Sequence, residues 1–334
     1  MTRPPPSPPT RAPVDAPLGN APATAAGTAA GTTAGAAAAA PLTLPMCWVN
    51  GIPTDPHGPA LSVSDRGFTL ADGCFETMRA YHGVIFRLGA HLERLAAAAG
   101  RLDIPVPPHL SETVADAARA IRAAGADASL RLTVSRGVGP GVAPTPGIVP
   151  TTVLRIDHLP TVAATLETHG LTVRVAAGRR NEYAPTAGLK TLSYTDTVLA
   201  LMDARARGAD DAILLDTGGH LCEGTSSNLF LVIRGVVHTP PTTCGILPGI
   251  TRRVVLDILA EFDLPVEQLP IPPAALDAAD EIFLTSSLRE IAAVTRVDDR
   301  PIGTGTPGPL TRRLRDAYRM RVAGAIADEA GDRT

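Results

Sequence analysis

Lysine occurs once in this chain, at Lys190 in Gly188-Leu189-Lys190-Thr191-Leu192-Ser193-Tyr194; Lys and Arg together number 30, so the other 29 are arginine. Arginine serves ion pairs, phosphate contacts and surface solvation as well as lysine or better. It cannot shed its proton and attack a carbonyl carbon, because its pKa stays above about 12, whereas a desolvated lysine falls toward neutrality. The retained lysine is therefore a candidate Schiff-base nucleophile. A coding bias toward arginine would leave the same count, so the surrounding residues must decide.

Such a lysine needs an aldehyde partner, and pyridoxal 5'-phosphate is the economical one. That cofactor needs an acid near its pyridine nitrogen, a phosphate cradle and a wall for its ring. Glu223, in Cys222-Glu223-Gly224-Thr225-Ser226-Ser227-Asn228, lies between two strand-like runs and is followed by small residues that admit a ligand. A carboxylate there would keep the pyridine nitrogen protonated; an isolated glutamate in a solvated loop would have the same sequence. Gly249-Ile250-Thr251 is a glycine-bearing turn into a helix, whose N-terminal N–H groups and dipole favour an anion. Thr285-Ser286-Ser287 ends a strand and offers hydroxyls, and Arg94, on an earlier helix, could add a charged donor pair. With Glu93 and Arg101 nearby, Arg94 also suits an ordinary surface arginine.

The elements that must position these residues begin near residue 46. Trp48-Val49-Asn50-Gly51 predicts a short strand with an Asn-Gly turn, and Asp72 to Arg87 alternates as two antiparallel strands turning at His82-Gly83. Leu88, His91, Leu92, Leu95 and Ala99 then recur at helical spacing, with Arg94 in the same helix, and a second amphipathic helix spans about 111–124. Leu130 to Gly137 and Thr151 to Ile156 predict strands around a Gly/Pro loop. Further on, strands are expected at 171–176, 212–216, 228–233, 236–239 and 281–284, with helices at about 194–207, 250–262 and 310–325. This pattern is a smaller α+β domain over 46–160, then a larger mixed α/β domain over 161–334, with a hinge near 158–170. Residues 1–45, rich in Pro, Ala and Gly, hold almost nothing large enough to pack and are expected to be disordered. Met46, directly before the first strand, is a candidate translation start, which the mass of the native N-terminus tests.

At 334 residues, 45% hydrophobic and 19% charged, the chain can bury a large core. A net charge of −3 offers no basic field for nucleic acid or an anionic membrane, and no stretch has the apolar length of a membrane span. Cys47, Cys74, Cys222 and Cys244 form no CxxC pair, and no two of the eight histidines make a metal signature. Reduced thiols, a cytoplasmic setting and no structural metal are expected.

Taken together, Ser64 to Leu95, the Lys190 segment, Glu223 to Phe230, Leu247 to Arg252 and Phe283 to Glu290 resemble the class IV aminotransferases, the fold-type IV pyridoxal phosphate enzymes. That family includes branched-chain aminotransferases, D-amino acid aminotransferases and aminodeoxychorismate lyases. The resemblance runs over nearly all of 46–325, with the motifs in the family's order. It implies that Lys190 forms the Schiff base and shuttles a proton, that Glu223 meets the pyridine nitrogen and that Tyr194 reaches the cofactor's phenolic oxygen. It further implies that Arg94, Ile250, Thr251 and Ser287 contact the phosphate and that Leu247 packs on the ring. A homodimer, with the site between two domains, is implied as well.

Within the family, Leu247-Pro248-Gly249-Ile250-Thr251-Arg252 and Gly303 to Arg312 resemble the branched-chain enzymes, and Arg131 sits on the strand where those place a pocket arginine. Leu70 stands where they have a tyrosine, and Thr77 replaces a pocket glycine. Asp72-Gly73-Cys74-Phe75 with Thr77, and the strand ending Val134-Ser135-Arg136-Gly137, look instead like the lyase. Val138 to Val142 lacks the lyase's second arginine and also the carboxylate trap of the D-amino acid enzymes. The expected substrate pocket is Phe75, Thr77, Arg131 and Ser286. Transamination between an apolar amino acid and 2-oxoglutarate is expected; the alternatives are a lyase releasing pyruvate and 4-aminobenzoate, and a non-catalytic homologue. Arg131 could also merely pair with an acid at a domain edge.

Overall fold

The computed structural model describes residues 43–160 and 168–331; the expected disordered stretch up to residue 42 and most of the expected hinge lie outside them. The first part of the chain builds one sheet. β1 (Met46–Val49) turns at Asn50-Gly51 into β2 (Ile52–Thr54), and both turn residues take positive φ, 51° and 81°, the geometry that matches strand twist in a two-residue hairpin. After the single-turn α1 (Arg66–Leu70) come β3 (Gly73–Tyr81) and β4 (Val84–Ile85), joined at His82-Gly83, again with both φ positive. Two helices follow, α2 (Leu88–Arg101) and α3 (Leu110–Ala124), then β5 (Ala128–Ser135) and β6 (Thr151–Asp157). The antiparallel sheet runs β2-β1-β6-β5-β3-β4. Its inner face, with Cys74, Met78, Ala80, Leu130, Leu132 and Val134, packs on Leu95, Ala99, Val114 and Ile121 of the two helices. Each such fully buried leucine or isoleucine contributes about 2 kcal/mol over an exposed one.

The second part of the chain builds a ring of strands. They are β7 (Leu171–Arg179), β8 (Asp211–Leu215), β9 (Leu221–Gly224), β10 (Asn228–Ile233), β11 (Val236–Thr239), β12 (Val266–Gln268), β13 (Glu281–Ser286), β14 (Glu290–Val297) and β15 (Arg300–Pro301). Between them lie α4 (Thr195–Ala206) and α5 (Ile250–Glu261), and α6 (Pro309–Gly331) ends the chain. The path β10-β13-β14-β7-β8-β9 closes on itself, because β9 pairs back to β10 through Glu223 and Asn228. Leu229, Leu231, Ile282 and Leu284 fill one face of these strands. Phe230 and Phe283, stacked at 4.8 Å on the other face, lie under Val254, Ile258 and Leu314 of α5 and α6. With both faces covered, the strands carry continuous apolar runs instead of alternation.

The differences from expectation have the same origin. β9 and β14 are too continuously buried to show a period of two, and β12 and β15 too short, so none is visible as a strand in the sequence. Glu223 consequently lies on a strand at the seam of the ring and not in a solvated loop; it is buried. Ser111, expected near a helix start, lies inside α3, with His109 at the N-cap.

Gly73 opens β3 where three segments crowd together. A Cβ there would lie 2.5 Å from the Val134 carbonyl oxygen and 2.8 Å from Leu192 Cδ1. Gly73→Ala is expected to lower stability by about 2 kcal/mol, read from urea unfolding; a change below about 0.5 kcal/mol would mean the strand and the Lys190 segment separate freely.

Candidate active site

The Lys190 segment is fastened to the edge of β3 like a short extra strand. Phe75 N–H donates to the Lys190 carbonyl at 2.9 Å, Leu192 N–H donates to the Gly73 carbonyl at 3.0 Å, and Cys74 and Thr191 bridge between them. The side chain therefore leaves a fixed backbone. Its Nζ lies 3.3 Å from the Tyr194 hydroxyl and 4.4 Å from the centre of the Phe75 ring. Tyr194, at the N-cap of α4, meets Phe75 edge to face at 5.2 Å. Burial is the main cause that lowers the lysine to about 8; Arg94 and Arg131 push the same way, against Glu76 and Glu223. Burial pushes the Tyr194 hydroxyl up, so it keeps its proton.

Glu223 faces the same space from the ring seam. Its Oε1 lies 2.5 Å from Arg180 Nη1, and its Oε2 accepts from Leu247 N–H at 3.0 Å and from Asn228 Nδ2 at 3.4 Å. Burial raises this carboxyl above its usual range, while Arg180 and the Leu247 amide favour the charged form. Asn228 Nδ2 also donates to the Leu247 carbonyl at 2.8 Å, which fixes Leu247 beside the acid.

The anion-seeking groups converge at the start of α5. Gly249 caps the helix without a side-chain bond, and a Cβ there would fall 1.9 Å from Asn228 Oδ1, so only glycine fits. The first intrahelical bond runs from Arg253 N–H to the Gly249 carbonyl, leaving the amides of Ile250, Thr251 and Arg252 without helical acceptors. The hydroxyls of Ser227 and Thr285 are buried with no partner in the protein. Arg94 is not the surface arginine its neighbours suggested. Its Nε and Nη2 donate to the two carboxylate oxygens of Glu76 at 2.7 and 2.8 Å, and Nη1 donates to the Pro248 carbonyl at 2.9 Å. Glu76 also bonds His91 Nδ1 at 2.7 Å; although burial alone would raise Glu76, the Arg94 and His91 hydrogen bonds hold it below the usual carboxylate range.

One cavity of about 1070 Å³ brings all of this together. Phe75, Thr77, Arg94, Arg131, Lys190, Tyr194, Glu223, Leu247, Ile250, Thr251, Ser286 and Ser287 all line it, although they span more than two hundred positions of chain. Leu70 does not line it. Thr77 stands directly across from Arg131 on paired strands, and the Arg131 guanidinium lies 3.6 Å over the Phe75 ring. Among the described residues Arg131 forms no ion pair, and burial and Tyr194 are what act on it, so the expected alternative of an acid partner is corrected. Ser286 Oγ accepts from Arg289 N–H at 3.3 Å within its own turn, which leaves its O–H free to donate.

Residues the sequence did not single out complete the site: Arg180, Asn228, Ser227 and Glu76. Only Glu76 carries a sequence signal, as the one charged position in the core-facing series Cys74, Glu76, Met78, Ala80, with His91 its counterpart on the apolar stripe of α2. No helix among the described residues is long and apolar enough to cross a membrane, and no group of metal-ligating side chains occurs among them.

Known proteins match this chain over most of its length. A family model described as amino-transferase class IV matches residues 73–297. A putative branched-chain-amino-acid aminotransferase of Methanocaldococcus jannaschii is 35% identical over 274 residues, covering 81% of this chain and 94% of the relative. The crystal structure of the Escherichia coli branched-chain amino acid aminotransferase superposes with a TM-score of 0.76 at 28% identity, over 82% of this chain and 93% of that one. That of 4-amino-4-deoxychorismate lyase from Pseudomonas aeruginosa gives a TM-score of 0.72 at 31% identity, over 82% and 98%.

A lysine titrating at about 8 is about one-quarter neutral at pH 7.5, against about one part in a thousand for an ordinary one at 10.5. Acylation of Lys190 by a small anhydride, followed by peptide mass spectrometry across pH, is expected to rise with a midpoint near 8. A midpoint above about 10 would mean the amine is solvated.

Proposed function

The chain belongs to the class IV aminotransferase family, whose members depend on pyridoxal phosphate, and on that basis we propose that it moves an amino group between an apolar, branched-chain-like amino acid and 2-oxoglutarate. The residues present suit the cofactor. Two buried hydroxyls without protein partners, Ser227 and Thr285, lie in the same cavity as the free amides of α5, which is the donor set a phosphate needs. In this reading Ile250, Thr251, Ser287 and Arg94 Nη1 complete that cradle, Leu247 lies against the ring and Glu223 meets the pyridine nitrogen. Lys190 is the amine that would take the aldehyde, and Tyr194 would reach the phenolic oxygen.

When bound, the cofactor supplies a ring that accepts electron density from the substrate's α-carbon. The protein's part is to hold and move one proton at a partly buried site. Lys190 Nζ, lowered to about 8, can take the proton from the α-carbon and return it at neutral pH, because neither of its charge states is strongly disfavoured there. Tyr194, 3.3 Å away, limits where that amine can swing. Arg180 keeps a negative charge favourable on Glu223 in a site that burial would otherwise neutralise.

The observation that carries the dicarboxylate half of this reading is Arg131, a guanidinium in the cavity wall with no acid partner among the described residues. A distal carboxylate would pair with it bidentately, and an aliphatic side chain would rest on Phe75 and Thr77. The same arginine favours a second reading, because the substrate of the lyase is also a dicarboxylate. A homodimer is part of the proposal, supported by exposed Val63, Phe68 and Val142, at 79%, 76% and 83%, which a second copy would cover.

The test is a single turnover of the purified, cofactor-loaded protein with L-leucine, L-glutamate or D-alanine, scoring the 2-oxo acid released, beside an assay for pyruvate and 4-aminobenzoate from 4-amino-4-deoxychorismate. Release of 4-methyl-2-oxopentanoate is the expected result; 4-aminobenzoate alone would transfer the assignment to the lyase. Lys190→Ala is expected to lower the rate on the order of a thousandfold. Arg131→Met is expected to raise the KM for 2-oxoglutarate about tenfold or more while the leucine half-reaction changes less than about twofold.

A further inference from the structure

The turn that brings Ser286, Ser287 and Arg289 to the cavity is built on an unfavourable backbone. β13 and β14 pair at Ser286 and Glu290, leaving a three-residue connection, and Glu290 closes it with φ of 57°. A left-handed residue at that point of a short hairpin is the place for glycine, and any other side chain costs about 1 kcal/mol. Glu290 is nonetheless a buried carboxylate at this point. Burial of a charge on a strained residue calls for compensation, and three groups from two other elements supply it.

Tyr81 hydroxyl, from β3, donates to Glu290 Oε1 at 3.0 Å. Arg79, on the same strand, lies 3.3 Å from that oxygen and also donates to the carbonyl of Leu288 inside the turn at 3.0 Å. Arg319 Nε, from α6, donates to Oε2 at 3.0 Å. Next to Arg319, the Tyr318 hydroxyl interacts with both Tyr81 and Thr251. A buried polar chain thus runs from the Ser286–Glu290 turn, through the first sheet and α6, to the N-terminal turn of α5. Its two ends are the two halves of the anion cradle.

We propose that Glu290 is a positioning residue, whose carboxylate holds the Ser286–Arg289 turn and the Thr251 end of α5 at the separation a phosphate monoester requires. The inference rests on the reading that the cavity binds pyridoxal phosphate. It separates two roles that a glutamate could have here. If Glu290 only completed a turn, glycine would serve better, since it removes the strain. If the carboxylate sets the cradle, glycine relaxes the backbone and loosens the anion site.

The experiment compares equilibrium binding of pyridoxal 5'-phosphate and of pyridoxal, which lacks the phosphate, to wild type, Glu290→Gly and Tyr81→Phe, read by absorption, with thermal unfolding alongside. Expected is a loss of pyridoxal phosphate affinity of about tenfold or more in Glu290→Gly, with pyridoxal affinity within about twofold of wild type. Tyr81→Phe, which keeps the turn's backbone and the volume of the ring, is expected to show the same selective loss at about threefold, and it carries the test if Glu290→Gly does not fold. Unchanged phosphate selectivity in a folded variant, or equal losses for both ligands, overturns the inference alone. A wild type that binds no pyridoxal phosphate overturns the functional reading and this inference with it.

Discussion

Everything at this site depends on holding one amine partly out of water. A lysine side chain carries about 2 kcal/mol of rotamer entropy and a strong preference for solvent, so an exposed lysine would be mobile and charged. Here its backbone is hydrogen-bonded to β3 at its own carbonyl and at the Leu192 amide, and its Nζ ends among Phe75, Tyr194 and the cavity wall. Gly73 makes that attachment close enough, since any side chain at that position would strike the neighbouring strand and Leu192. The first sheet is therefore part of the chemistry, although the lysine comes after it in the chain.

Shielding an amine from water also shields the charges around it, and the structure pairs the carboxylates among them. Glu76 with Arg94 and His91, Glu223 with Arg180, and Asp211 with Arg289 and Thr225 are three buried carboxylates, each answered by a guanidinium from another segment of the chain. Breaking such a pair from one side is costly because it strands the other charge, so each pair also fixes the relative placement of the two segments that carry it. Glu290 belongs to the same scheme, with Arg79 and Arg319. Arg131 is the exception among the cavity's arginines just considered: it stacks on Phe75 and lines the cavity with no acid partner among the described residues.

The ring of strands explains how so many small polar groups converge. Its closure at Glu223 and Asn228 puts the acid, the Gly224–Ser227 turn and the Gly249 cap side by side. Helix α5 begins where that seam ends, so its unpaired amides point at the same space as the Ser227 and Thr285 hydroxyls. A rigid scaffold with short turns at one end holds such donors in place before any ligand arrives.

By itself the sequence determined the chemistry-bearing residue types and the elements with clear periodicity. A sole lysine, an Asn-Gly hairpin, the apolar stripe of α2 and the Pro-Gly entry to α5 are local facts, set by covalent structure, φ preferences and a period of 3.6 or 2. Residue types in family order were enough to connect Lys190 with Glu223 and Thr251 across the chain. Tertiary structure alone decided what those residues touch. That Arg94 is committed to Glu76, that Arg180 answers Glu223, and that Tyr81, Arg79 and Arg319 answer Glu290 all follow from contacts between separate segments. Such contacts leave no local signal, because a buried ion pair is set by desolvation and by the absence of any other partner, and only the folded chain creates those conditions.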